Sequence, residues 1–123
     1  MKVLLSIKPE FATKVFDRSK RFEFRRSIFR NQNIKTVVVY ASSPVQKVIG
    51  EFEIDKIITD NIDTLWEKTK KYAGISKEYF YSYFNKKEIG FAIKIKNVKI
   101  YNKPLCIKKD FKTNPPQSFT YLI

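Results

Sequence analysis

The spacing of hydrophobic and polar positions changes period several times along the chain, and each change marks an element. Val3 to Ile7 is a short apolar run rich in branched residues. Pro9 halts it, which predicts a first strand followed by a helix that starts at the proline. Phe11, Ala12, Val15 and Phe16 then recur at helical spacing and give that helix one apolar face, with its end expected near Arg18 and Ser19. From Lys20 the period becomes two. Phe22 and Phe24 point to one side and Glu23 and Arg25 to the other, the pattern of a half-buried strand. Thr36 to Ala41 is dense in β-branched residues and predicts a strand in the middle of a sheet, broken by Ser42, Ser43 and Pro44. Lys47 to Ile54 predicts the next strand, with Gly50 at a bulge or a close approach.

Asp60 to Phe84 reads as helical. Ile62, Leu65, Trp66 and Thr69 form one stripe, acids open it, lysines close it, and Gly74 is placed to end it. Ser76 is placed to cap a second short helix carrying Tyr79, Phe80, Tyr83 and Phe84 at helical spacing, which points to core packing. Trp66 reads as core too. Tyr81 faces away from Phe80 and Phe84 and is the member of the cluster available for stacking or for a protein partner. Gly90 to Tyr101 alternates again, with Phe91, Ile93 and Ile95 inward and Lys94 and Lys96 outward. Pro104 and Pro115-Pro116 punctuate a tail, and Phe119 and Tyr121 offer a last strand. No repeat, low-complexity segment or linker intervenes. Residues 1–123 are therefore expected to form a single α+β domain: a curled mixed sheet closed into a small β-barrel, with helices covering its ends.

Composition narrows this picture. A chain of 123 residues with 43% hydrophobic positions can bury one core and leaves no room for a separate catalytic module. The absence of histidine and the single Cys106 exclude an internal disulfide and the zinc constellations of Cys and His, so neither a metal nor a cofactor is expected. Lys8, Pro9 and Glu10 cut the first apolar run too early for a signal peptide, and no stretch is long enough to span a bilayer. A cytoplasmic protein without membrane association is the expectation. Twenty-five Lys and Arg against twelve Asp and Glu give a net charge of +13, which favours polyanionic partners through counterion release. A lysine-rich proteome whose proteins are all somewhat basic would produce the same total.

One stretch mixes charges of both signs with aromatics: Lys20-Arg21-Phe22-Glu23-Phe24-Arg25-Arg26. Glu23 and Arg25 share a strand face and can line one pocket. A guanidinium there holds a phosphate or a base edge bidentately, and a carboxylate orients it or accepts from an exocyclic amino group. An ordinary solvated strand face bearing a weak ion pair fits the same pattern.

The order Ser6-Ile7-Lys8-Pro9, a helix, then Ser19-Lys20-x-x-Glu23-x-Arg25 resembles the signature of ASCH domains, in the wider PUA-like group. Val39-Tyr40-Ala41-Ser42-Ser43-Pro44 followed by Val48-Ile49-Gly50-Glu51-Phe52 is similar to that family's next two strands. The resemblance implies a PUA-like barrel with a cleft near the Lys-Glu-Arg motif, and a role in binding RNA or a modified nucleotide. Carried over by position, Lys8, Lys20, Glu23 and Arg25 line that cleft, with Ser42 and Ser43 at its rim as hydroxyl donors and acceptors.

An enzymatic branch of the family, the bacterial acetylcytidine amidohydrolases, uses a lysine, a threonine and a glutamate. Their lysine matches Lys20, but Glu23 stands at the threonine position and their glutamate falls near Ala73. The alternative to a binding module is thus a hydrolase of a nucleoside or of RNA, with Lys20 and Glu23 as its catalytic groups. Glu23 is expected to hold Lys20 charged and so to oppose that chemistry. Residues 115–118, Pro-Pro-Gln-Ser, read equally as a flap over the cleft, with Gln117 and Ser118 toward a base, or as a connector that pins the last strand.

Overall fold

The chain runs β1 (Lys2–Ile7), α1 (Pro9–Phe16), β2 (Phe22–Arg25), β3 (Thr36–Ala41), β4 (Lys47–Asn61), α2 (Ile62–Thr69), α3 (Lys77–Tyr83), β5 (Ile89–Leu105), α4 (Ile107–Phe111) and β6 (Phe119–Leu122). This is a computed structural model, and it describes residues 1–122. The architecture is α+β, as the patterning predicts. Its six strands form one mixed sheet in the order β2-β5-β4-β3-β1-β6, in which β1 and β3 are parallel and every other pair is antiparallel.

The long β4 and β5 are the spine of the sheet, and their ladder shifts register between Val48 and Gly50, Phe52 and Ile54, and Ile54 and Lys56. Each shift adds bend and right-handed twist, so the sheet curls. These shifts also carry both strands past their expected ends at Ile54 and Tyr101, because they re-phase an alternation that looks broken in the sequence. Gly50 sits at the first one. A Cβ there would lie 2.5 Å from the Lys99 carbonyl oxygen and 2.7 Å from the Phe16 ring, so only glycine lets β5 and α1 come this close.

Alternation along β1 and β3 buries both faces of the sheet centre. Val3, Leu5, Ile7, Val37 and Val39 meet Ala12 and Val15 of α1 on the inner face. Leu4, Val38 and Tyr40 meet Ile107 of α4 on the outer one. A third cluster joins Phe22 and Phe24 of β2 to Leu65, Phe80 and Phe84 beneath α2 and α3. Among the described residues no helix is long and apolar enough to cross a membrane.

Three expectations change. First, the barrel does not close through backbone hydrogen bonds, since β2 and β6 remain sheet edges. The four-residue β2 is too short to reach β6, and the chain leaves the sheet after Arg25 in a loop that runs beside β6 instead. Side chains span the seam: Tyr121 Oη accepts from the N–H groups of Arg30 and Asn31, Phe29 packs edge-on against Phe119, and Arg25 Nη2 donates to the Ser6 carbonyl.

Second, Asp60 belongs to β4 rather than to a helix, because Thr59, Asp60 and Asn61 pair with Phe91, Gly90 and Ile89. Asn61 caps α2 by accepting from Thr64 N, and Gly74 follows a 3-10 turn over Lys70–Tyr72 rather than ending the α-helix directly. The Ser76 cap of α3 is as expected, accepting from Tyr79 N. Third, α4 has little sequence signal beyond Ile107 and Phe111 one turn apart.

Replacing Gly50 with Ala should destabilise the domain by about 1–3 kcal/mol, the usual cost of overpacking, because the Lys99 carbonyl cannot move without breaking the β4–β5 ladder. Urea denaturation checks this.

Candidate functional site

Where the end of β1 passes β2 across the open seam, a cleft of about 620 Å³ opens, within the range of small-molecule sites. All six residues singled out in the sequence, Lys8, Lys20, Glu23, Arg25, Ser42 and Ser43, line it. β1 ends at Ile7 and delivers Lys8, the β3–β4 turn delivers the serines, and β2 with the residue before its flanking Arg21 delivers the other three.

Lys20 is the most enclosed of them, only 1% exposed. Its Nζ donates to the Ala73 carbonyl at 2.8 Å and lies 4.7 Å from the Phe24 ring centre and 5.6 Å from that of Phe11. Gly74, at φ 69°, packs directly on its Cβ and Cγ, a place no larger residue can take without displacing the lysine. Burial pulls the Lys20 amine down to about 8, outweighing the opposing pull of Glu23, while Lys14 and Arg25 push with the burial. Glu23 acts in the expected direction, toward the charged amine, but loss of hydration in an aromatic cage is the larger effect.

Glu23 and Arg25 are also not on a solvated face. β2 is buried on both sides, with Glu23 opposite Ile93 and Arg25 opposite Phe91 on the inner face. Arg25 Nη2 meets Glu23 Oε2 at 3.0 Å and the Ser6 carbonyl at 2.9 Å, and both side chains of the ion pair are 10% exposed. Arg25 Nε is buried with no hydrogen-bond partner among the described residues. An unmet donor on a buried guanidinium is costly to the fold, and a ligand acceptor in the cleft would satisfy it.

The rim adds residues the periodicity assigned to the core. Tyr79 lines the cleft, edge-on to Phe11, with Lys8 Nζ 5.4 Å from its ring centre. Tyr40, Tyr83, Ser27 and Gln46 line it as well. The tyrosines were missed because core spacing carries no sign of which cavity a hydroxyl faces, and nothing in the pattern marks Ser27 or Gln46. Residues 115–118 form one wall and are anchored at Ser6, whose Oγ donates to the Pro116 carbonyl at 2.6 Å and whose N–H donates to the Ser118 carbonyl. The segment leads into β6, as a connector would, and it also borders the cleft.

Tyr81 does not face away from Phe80: its half-buried ring stands edge-on to that ring, and its hydroxyl donates to Asp63. Trp66 packs against Phe80. The lysines from Lys68 to Lys109 do not line the cleft, and Lys68, Lys70, Lys94 and Lys96 pair with acids elsewhere. Among the described residues there is no group of three His, Cys, Asp or Glu that could hold a metal.

Comparison with known proteins places this geometry. Residues 5–99 match the model for the ASCH domain. The chain is 30% identical over 123 residues to an ASCH domain-containing ribonuclease of Zymomonas mobilis, covering 97% of this chain and 82% of that protein. The crystal structure of the Zymomonas mobilis ASCH protein superposes with a TM-score of 0.91 at 28% identity, covering 99% of this chain and 87% of that one. Two Ureaplasma parvum proteins are also similar: ATP synthase subunit alpha, 34% identical, and large ribosomal subunit protein uL22, 30% identical, each over 98% of this chain. The chain spans only 15% and 39% of their respective lengths.

The pH dependence of stability tests the state of Lys20. Between about pH 8 and the ordinary lysine value of 10.5, the unfolded chain keeps a proton that the folded chain has lost, so the contribution of Lys20 to stability rises with pH across that window. Below it the buried charge is a cost. Lys20→Met should therefore be more stable than wild type at pH 7, by up to about 3 kcal/mol, with the gap narrowing above pH 8. Chemical denaturation of both proteins at several pH values measures it, and a variant less stable at every pH would make the Ala73 contact the dominant role of this lysine.

Proposed function

The chain belongs to the ASCH domain family, and from that premise we propose that its cleft binds RNA by seating one nucleotide, ordinary or modified, against Lys20, Glu23 and Arg25. The observation that carries this reading is the buried Arg25 guanidinium with a free Nε beside a carboxylate, at the wall of a cleft of about 620 Å³. Arg25 supplies donors to a phosphate or a base acceptor, and Glu23 Oε1, which Arg25 does not occupy, accepts from an exocyclic amino group. Lys8, Ser42 and Ser43 at the rim hold the sugar and phosphate. The net charge of +13 supports a polyanionic partner, as do one relative named as a ribonuclease and another that is a ribosomal protein.

A second reading, hydrolysis of RNA, is favoured by one observation. An amine near 8 is neutral in about a tenth of molecules at pH 7, so Lys20 can accept the proton of an attacking hydroxyl and return it to the ribose oxygen that departs as the phosphodiester P–O bond breaks, while Arg25 and Lys8 stabilise charge on the phosphoryl oxygens. Acetylcytidine hydrolysis gains no such support. Ala73 touches the Lys20 amine but offers only its carbonyl, and Glu23 stands in place of a hydroxyl.

Arg25→Ala should weaken RNA binding by about 1–3 kcal/mol, roughly 5- to 150-fold, and wild-type affinity should fall linearly in log–log form with salt. Isothermal titration at several salt concentrations reads both, and unchanged affinity in the variant removes the cleft from the proposal. Incubation with single-stranded RNA separates the two readings: cleavage by wild type that Lys20→Ala abolishes makes the protein a ribonuclease, and intact RNA makes it a binder.

A further inference from the structure

Beside the cleft lies a second depression of about 180 Å³, whose lining includes Ile28, Phe29, Asn31, Gln32, Thr59 and Phe91. We propose that it is a second base subsite, which seats the nucleobase next to the one in the cleft on a single-stranded RNA. The inference rests on the RNA reading above and extends it from one nucleotide to two.

Three observations carry it. The first is continuity. Arg25 pairs with Phe91 and Phe91 with Thr59 across β2, β5 and β4, and residues directly opposite in antiparallel ladders share a face. The floor of the depression therefore continues the row in which Arg25 stands, on the inner face of the sheet. The partition is a single loop: Arg26 and Ser27 line the cleft, and the next two residues, Ile28 and Phe29, line the depression.

The second observation is chemical. The lining joins apolar and aromatic side chains to two amides and a hydroxyl, with no carboxylate and no cation, and polar atoms make up the larger part of the surface it offers. Such a surface suits a flat, uncharged heteroaromatic ring better than a phosphate or an acidic peptide. Asn31 Oδ1 already accepts from Asn33 N and its Nδ2 donates to Met1 Sδ, so the Gln32 amide and the Thr59 hydroxyl are the groups best placed to meet a base edge. Gln32 and Thr59 are exposed and can reach one.

The third is the distribution of charge. Arg26 and Arg30 flank this loop, both are exposed, and neither is paired with a carboxylate among the described residues. They are placed for the phosphate that links two bases seated on either side of the partition. The loop is also preformed, because Tyr121 Oη holds the N–H groups of Arg30 and Asn31 at 3.1 and 3.2 Å, which lowers the ordering cost of binding.

The test compares mononucleotides, AMP and CMP, with the hexanucleotides of A and of C, by titration calorimetry in the cold with RNA integrity checked afterwards. Thr59→Phe fills the depression from an exposed strand position, and Gln32→Ala removes an edge contact from an exposed loop without loading the core. Hexanucleotide affinity should fall roughly 5- to 150-fold in Thr59→Phe, the worth of one stacked base, and by less in Gln32→Ala, while mononucleotide affinity stays at the wild-type value. Hexanucleotide affinity unchanged in both variants overturns the second subsite, and the cleft reading survives it if Arg25→Ala still weakens mononucleotide binding. Equal losses for both ligand lengths overturn it too, since the depression then belongs to a single site. Wild-type protein that binds neither probe overturns both readings.

Discussion

The seam between β2 and the β1–β6 edge is the constraint on which the rest of the molecule depends. Register shifts along β4 and β5 curl the sheet, while a four-residue β2 leaves the curl unclosed. A ladder there would have filled the gap with backbone hydrogen bonds and removed the cleft. Instead the edges are tied by a tyrosine hydroxyl, an aromatic contact and one arginine bonded to the Ser6 carbonyl. The same arginine that spans the seam keeps a donor to spare, at Nε.

Charge is concentrated at this seam against the preference of a small domain for an apolar interior. Lys20, Glu23 and Arg25 are all buried, and only Glu23 and Arg25 compensate one another directly. Replacing a buried pair of this kind by apolar residues is often neutral or stabilising in proteins, so stability alone does not account for its presence. The surroundings are built to hold it all the same. Gly74 gives way to the Lys20 stem, Ala73 meets its amine, and Phe11 and Phe24 enclose it. The outer lysines behave differently, because several pair with neighbouring acids at exposed positions where each pair contributes little.

Much of the fold was legible because short-range rules govern it. Proline at the start of α1, the Ser76 cap of α3, the β-branched run of β3 and the tight approach at Gly50 all express local sterics and hydrogen bonding. Where register shifts intervene, that legibility fails: a bulge changes the phase of alternation, so β4 outran its expected end and took Asp60 from the following helix. The short α4 depends on packing against the outer face and has little local signal of its own.

The site divides in the same way. Residue types and spacing marked the stretch that holds Lys20, Glu23 and Arg25, because a motif that places both charge signs among aromatics is visible in one dimension, while Lys8, Ser42 and Ser43 came only from the resemblance to ASCH domains. What the chain order could not decide was their surroundings. Alternation assigned Glu23 and Arg25 to the polar side of β2, yet both sides of that strand are covered, and hydration is a property of the assembled neighbours rather than of the strand. For the same reason the pull of Glu23 on the Lys20 amine was legible, but the larger opposing effect was not: burial among residues far apart in sequence, Phe11, Phe24 and Ala73, lowers it. Residue order alone settles which chemical groups are present and roughly which strand ends carry them. Their convergence at an unclosed seam, and the loss of water there, come from the packed assembly, because solvent exclusion depends on contacts that no local pattern encodes.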